Sequence, residues 1–474
     1  MRCLQLPRLR GALPVAAIAI VFIGLMARPA AGQFGGGFGG GFGGGGAAGV
    51  VVDAQGVLRA QAAVGAELSV ERRKAAVAAL PGDLRKAVPL RKVALSRLEA
   101  ELAKAAAAGR DLPDEIRKLA GLTRIQYVFV YPAEGDAPGE IVVAGPAEPW
   151  IDAATGLTLG VETGSPTLLL EDLAAAIRCF SPGHPADLVV GCSIDPRQEG
   201  LAAFKDFLRR VGKVNPQMPV DQLVAGMKES LGTQVVSVSG VSPATHFARV
   251  MVEADYRMKL IGIGLEPVPA KKMQSWIELA AAAGGIGDNA LKRWYFVPDY
   301  ECVRIAEDDL AVELVGRGVK LCTADEVVRP DGTRLSTERS DRASKTFTEN
   351  FTRKYAEIAA RTPVYAQLRN LIDLAVIAAY MQEHDAYGKA GWGAEKLRDE
   401  KTCAIETLVP PREVETTINA VWRQSRLLTP IGGGVTIQPR IAISPEHLLT
   451  DEKGAVAAAR TAAKDLPAGA WYWD

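Results

Sequence analysis

Between residues 166 and 240, short β-prone runs and amphipathic helical runs take turns, and this alternation restricts the fold more than any other feature of the chain. PTLLL (166–170) reads as a strand and EDLAAAIRCF (171–180) as a helix. DLVVGC (187–192) reads as a strand and EGLAAFKDFLRRVG (199–212) as a helix. VDQLVAGMKESLG (220–232) is a helix closed by Gly232, and TQVVSVSG (233–240) is a strand. Strand and helix in turn predict an α/β core with a predominantly parallel or mixed sheet covered by helices. WYFVPDYECVRIAEDDLAVELVGRGVKLC (294–322) adds an antiparallel meander with turns at Glu307-Asp308-Asp309 and Gly316-Arg317-Gly318.

The remaining segments flank that core. Residues 48–60 carry two apolar runs around Asp53 and Gly56, the pattern of a tight hairpin. A helical stretch is expected over 69–107, broken near Pro81-Gly82 and Pro89, and RIQYVFVYP with EIVVAGP makes a second hairpin. Towards the C-terminus, Phe347, Phe351, Tyr355 and Ile358 share one helical face. Leu368, Leu371, Ile372, Ala375, Val376 and Ala379 share another, with Pro363 in the first turn of that second helix. TPIGGGVTIQP (429–439) reads as a tight turn into a strand. The expected divisions are 48–164, 165–340 and 341–474.

Residues 1–47 look different. Arg2, Arg8 and Arg10 precede an apolar run (11–27) and then small residues, the pattern of an export signal over 1–32. A retained anchor is the competing reading, although the run is short for a span and contains Pro14. Residues 33–47 are glycine with spaced Phe34, Phe38 and Phe42, a flexible tether. The address implied is the periplasm, the cell envelope or the medium. No transmembrane span is expected in the mature chain. Lys+Arg and Asp+Glu balance at 55 each and interleave, so nothing steers the chain to nucleic acid.

Export changes the reading of the six cysteines. Loss of Cys3 with the signal leaves an odd set, so one at least has no partner in the chain. A Cys179–Cys192 bridge would close a short loop worth roughly 3 kcal/mol. Two buried thiols behaving as small hydrophobes explain the same residues equally well.

Few residues invite chemistry. His184, His246, His384 and His447 are scattered without ligand spacing, so no metal is expected, and no phosphate loop or nucleophile elbow implies a cofactor. In GCSIDPRQEG (191–200) a strand is expected to end at Cys192, which makes Ser193, Asp195 and Arg197 candidates at a strand C-terminus. Asp195 as a plain helix N-cap is the simpler account. In VEADYRMKLIGIGLEP (252–267), Glu253 to Arg257 and Asp255 to Lys259 are spaced for surface ion pairs on an amphipathic helix. Ser242-Pro243 would start that helix and Gly262 would cap it. His246, Arg249 and Glu253 can share one flank, able to bind an anion or move a proton.

The phrases AGVVVDAQGVLRA, VVGCSIDPRQEGLA, VEADYRMKLIGIGL, YFVPDYECVRI and LTPIGGGVTIQP together resemble a family of secreted planctomycete proteins, domain of unknown function 1598. The likeness runs over roughly 48–439 and implies a bacterial exported protein, with no activity attached. Two functions are open on this reading. One is a non-catalytic binding or structural protein with an envelope or extracellular macromolecule as partner. The other is an exported hydrolase with a site near Asp195 and the His246, Arg249 and Glu253 face.

Overall fold

The computed structural model describes residues 49–474 apart from 62–68, 136, 154–155, 186, 213–218, 284–289, 329–333, 337–339, 420–430 and 466. The export signal and the tether lie outside the described residues. The chain opens with the hairpin β1 (Gly49–Val52) and β2 (Val57–Gln61), where Asp53 accepts from the backbone N–H of Gln55 and Val57 and Gly56 takes φ +84°. The stretch expected to be helical with breaks near Pro81-Gly82 and Pro89 contains α1 (Val70–Ala79), a 3-10 turn, the strand β3 (Val88–Ala94) and α2 (Leu95–Ala107). Strand partners override the helical pattern here, because β3 pairs with two other strands.

A short α3 (Asp114–Arg117) leads to β4 (Tyr127–Tyr131), β5 (Glu140–Ala147), β6 (Trp150–Asp152) and β7 (Thr158–Gly160). Residues 166–170 are not a strand. Only Pro166 makes a bridge; Leu168 enters the core from a loop, its N–H on the Leu122 carbonyl, and buried Leu170 already begins a helix. Next come α4 (Leu170–Cys179), β8 (Val190–Pro196), α5 (Gln198–Val211), α6 (Val220–Leu231), β9 (Gln234–Ser239), α7 (His246–Gly262) and α8 (Trp276–Ala282).

The expected meander divides between two sheets. β10 (Ala290–Pro298) and β13 (Val319–Val328) pair with each other, whereas β11 (Val303–Ile305) and β12 (Ala311–Leu314) form a hairpin in a different sheet. The strand β14 (Arg334–Ser336) precedes α9 (Arg342–Arg353), α10 (Tyr355–Arg361) and α11 (Pro363–Glu383). The expected aromatic face is therefore carried across a break at Lys354, and Phe347, Phe351, Tyr355 and Ile358 are all fully buried. The chain ends with α12 (Ala386–Ala390), α13 (Glu395–Arg398), β15 (Glu413–Val414), β16 (Ile431–Ile437), α14 (Pro439–Ala442), β17 (Leu449–Thr450), α15 (Ala455–Ala462) and β18 (Tyr472–Trp473).

The result is a mixed α/β fold. One sheet runs β1-β2-β15-β9-β8-β16-β10-β13-β14, in which, among the described residues, β2/β15 and β10/β16 are the parallel pairs, and draws strands from all three expected divisions. A second runs β17-β11-β12-β4-β5-β3-β18. Gly432, Gly433 and Gly434 sit inside the central strand β16 rather than in a turn before it. Helix α7 lies on β8 and β16, and α11 lies on α7 and α4. In α11 every residue from Val364 to Leu368 and from Asn370 to Met381 is buried. Covered on two sides, α7 buries every residue from Ala254 to Gly262. Met251, Met258 and Ile261 are fully enclosed there, each contributing roughly 1.5–3 kcal/mol. Among the described residues no helix is long and apolar enough to cross a membrane.

Candidate functional site

Strand β8 runs on through Ser193, Asp195 and Pro196, so Asp195 is not a helix cap. It sits opposite Val235 of β9 and accepts from Arg293 Nη1 at 2.8 Å. Ser193, half-buried, lies between Ser237 and Gly434 on the neighbouring strands. Arg197 holds the N-cap position of α5 without a side-chain cap, and its guanidinium donates to Glu413 Oε1 at 2.5 Å.

Helix α7 begins later than its sequence implies. Thr245, not Ser242, caps it by accepting from Ala248 N–H. Gly262 is the last helical residue. Its lack of a side chain answers to Trp294, whose ring would lie 2.2 Å from a β-carbon there. The ion pairs expected on a wet face are inside the protein. Asp255 is 0% exposed and Lys259 5%, and Lys259 Nζ reaches Asp255 Oδ2 at 2.9 Å and the Ile194 carbonyl at 3.1 Å. Arg257, also buried, donates to Glu266 Oε1 at 2.6 Å and to Glu253 Oε1 at 3.4 Å. Burial raises the Glu253 carboxyl above the usual range, against the pull of Arg257.

His246, at the other end of α7, meets a residue the sequence reading passed over. Its Nδ1 faces both carboxylate oxygens of Asp172 on α4, at 2.9 and 3.0 Å, and its Nε2 lies 3.4 Å from Gln367 Nε2 on α11. Burial alone would lower the imidazole pKa, but Asp172, with Glu171 and Glu253, outweighs it and holds the value at about 9. The only local trace of the pair is an acid in the first turn of the EDLAAAIRCF helix, and nothing in either segment says that the two helices meet there. This pairing makes a pH prediction. A folded-state value near 9 against about 6.5 unfolded stabilises fully below pH ~6.5 and is lost as pH rises through ~9. Wild type should lose about 3 kcal/mol over that window. His246→Gln should flatten the curve, as read by urea denaturation at fixed ionic strength.

The two ends of α7 do not meet. His246 and Lys259 are thirteen residues apart on one helix, about 20 Å of rise, and Lys259 is the residue that touches the Ile194-Asp195 segment. Asp195 therefore lies towards the opposite end of α7 from His246. Arg249 donates to the Val409 carbonyl at 3.1 Å. Among the described residues no group of three or more His, Cys, Asp or Glu could hold a metal.

What lies beside the start of α7 is a cleft of about 350 Å³ where β9 ends, lined by Arg178, Cys179, His184, Val241, Thr245 and Ile405 among others. Arg178 is spoken for: its guanidinium pairs with Glu400 and donates to the carbonyls of Leu397 and Cys403. Cys179 and Cys192 are free thiols, so the possible bridge is absent. Cys179 Sγ donates to the Gly240 carbonyl at 3.1 Å, and Cys192 is enclosed in β8. Burial pushes the thiols of Cys179 and Cys302 up to about 12 and that of Cys403 to about 11. Thiolate is the reactive form. These thiols should resist iodoacetamide at pH 7.5 for hours in the folded protein and label fully in 6 M guanidinium, as counted by mass spectrometry.

A family model described as "Protein of unknown function (DUF1598)" matches residues 192–276, from β8 through α7 to the first residue of α8. No curated protein and no solved structure matches the chain. Over the segment that carries Asp195, His246, Glu253 and the buried Asp255–Lys259 pair, the chain is similar to a family of unknown function.

Proposed function

We propose that this is an exported bacterial protein of the cell envelope or extracellular space that acts by binding rather than by catalysis. The observation that carries this reading is that its reactive candidates are each held in an ion pair by another side chain. Asp195 is held by Arg293, Arg197 by Glu413, Glu253 by Arg257 and His246 by Asp172. An imidazole held protonated to about pH 9 cannot accept a proton as a general base near neutrality. The cleft at the end of β9 offers a ligand an apolar wall and several polar groups, the usual make-up of a binding site. Export rests on the basic, apolar and small-residue pattern of residues 1–32.

The test is a thermal-shift screen of the chain from Gln33 onward against glycans, peptides and small anions. A binder at a hundred times its Kd adds about 2.7 kcal/mol. That gain should vanish in Val241→Trp, which fills the cleft. The hydrolase reading has one observation in its favour, the orientation of the His246 ring by Asp172. A saturable hydrolytic activity lost in Asp195→Asn, His246→Gln or Glu253→Gln would overturn the binding reading. Fractionation of the native cell, with the protein found only in the cytoplasm, would overturn export.

A further inference from the structure

A second cluster of charge lies where α11 meets the turn between β12 and β13. Arg369 and Asp373 stand one helical turn apart on α11, and Arg124 reaches them from the segment before β4. Gly318 covers them with φ +75°. The place its missing β-carbon would take is 3.0 Å from Asp373 Oδ1, 3.3 Å from Arg369 Cγ and 3.6 Å from Arg124 Nη2. Three side chains thus converge on one point beneath a glycine.

Their charges do not balance. Arg124 Nε donates to Asp373 Oδ2 at 2.9 Å, and Arg124 Nη1 lies 3.4 Å from the Gly316 carbonyl. Arg124 Nη2 and Arg369 Nε are buried with no hydrogen-bond partner, although both residues are half-buried as a whole. Beside the same turn Asp299, whose N–H donates to the Gly318 carbonyl, pairs with Arg317, and Cys302 and Tyr355 also lie near these charges. Burial raises both well above neutrality, so they stay uncharged. Two guanidinium groups stand near one carboxylate, which bonds only Arg124, and a guanidinium does not escape by losing its proton.

We propose that Arg124 and Arg369 form a binding site for a small inorganic anion, of which chloride is the simplest. An anion against the two free N–H groups would supply the missing charge and the missing acceptor together. Both N–H groups are shut off from bulk solvent, which suits a compact ion better than a phosphate ester. The ion would tie α11 to the segment before β4 and to the Gly316–Gly318 turn.

The experiment compares the thermal unfolding of the chain in sodium chloride and in sodium gluconate at one ionic strength. Chloride at about tenfold over its Kd should raise Tm by about 2 °C, and the rise should saturate. Arg369→Gln should lose the chloride response. In gluconate it should melt at or above wild type, because it removes a surplus charge, whereas a purely structural arginine would lower Tm. Equal Tm in the two salts, or a response that survives Arg369→Gln, overturns the proposal. Should Arg369→Gln fail to fold, a bromide-soaked crystal of the wild type decides. An anomalous peak beside Arg124 Nη2 and Arg369 Nε supports the site, and a water there or no peak overturns it.

Discussion

Lys259→Met is expected to cost about 3–5 kcal/mol of unfolding free energy, and Asp255→Leu added to it should recover most of that loss. The pair is enclosed between α7 and the central sheet, with Asp255 fully buried and Lys259 nearly so. Burial raises the Asp255 carboxyl above the usual carboxylate range, and the Lys259 ammonium is the main force opposing it. Removing the cation leaves a carboxylate in the interior with Asp195 close enough to disfavour its charge further. Removing both partners leaves an apolar contact of similar volume, which is why the double variant should approach wild type.

The sign of the pH dependence separates this account from simple loss of packing. An acid whose folded pKa is raised above its unfolded value of about 3.9 is most stabilising below that value and loses stability as pH rises to the folded value. The deficit of Lys259→Met should therefore shrink towards acid pH, as Asp255 takes up a proton. Urea denaturation at several pH values measures it. A Lys259→Met protein as stable as wild type at neutral pH would mean that the pair is not dehydrated as the geometry requires.

Gly433→Ala is the second large effect expected, about 3 kcal/mol or more. A β-carbon at Gly433 would lie 2.5 Å from Asp255 Oδ1, 2.6 Å from the Trp294 carbonyl oxygen and 2.7 Å from Lys259 Cε. The Trp294 oxygen belongs to the adjacent strand β10 and cannot retreat without opening the ladder. The carboxylate is buried and tied to Lys259, so it has nowhere to turn. Gly82→Ala is the control: nothing lies within 4 Å of its added carbon, and its stability should stay within about 1 kcal/mol of wild type. Chemical denaturation of both variants makes the comparison, and equal midpoints would refute the close approach.

The elements legible in the sequence are those whose cause is local. Asp53 and Gly56 make the first hairpin because a short acceptor side chain and a positive φ are properties of those residues. Pro363 opens α11 because a proline at that position forgoes no helical hydrogen bond. The runs at 171–180, 199–212 and 220–232 carry their own periodicity and became α4, α5 and α6. For the same reason a mixed α/β fold followed from the alternation.

What the tertiary structure decided is which faces are wet. The spacing of Glu253, Arg257, Asp255 and Lys259 matches a solvent-facing helix as well as a buried one, since i, i+4 geometry says nothing of what lies opposite. The answer came from segments far along the chain: β8 and β16 on one side of α7, and α11 on the other. Asp195 took its place for the same reason. Its partner Arg293 is ninety-eight residues away, and β8 continues past Cys192 because β9 and β16 supply ladder partners as far as Pro196 and Ile194. The GGG run illustrates it most simply. Glycine permits a turn, yet here it permits a strand to lie against a buried ion pair, and only the folded neighbours distinguish the two. By itself the sequence determined the local elements and the balance of charge. The burial of that charge, and with it the candidate sites, was decided by long-range packing, because desolvation depends on everything that closes around a group and not on its neighbours in the chain.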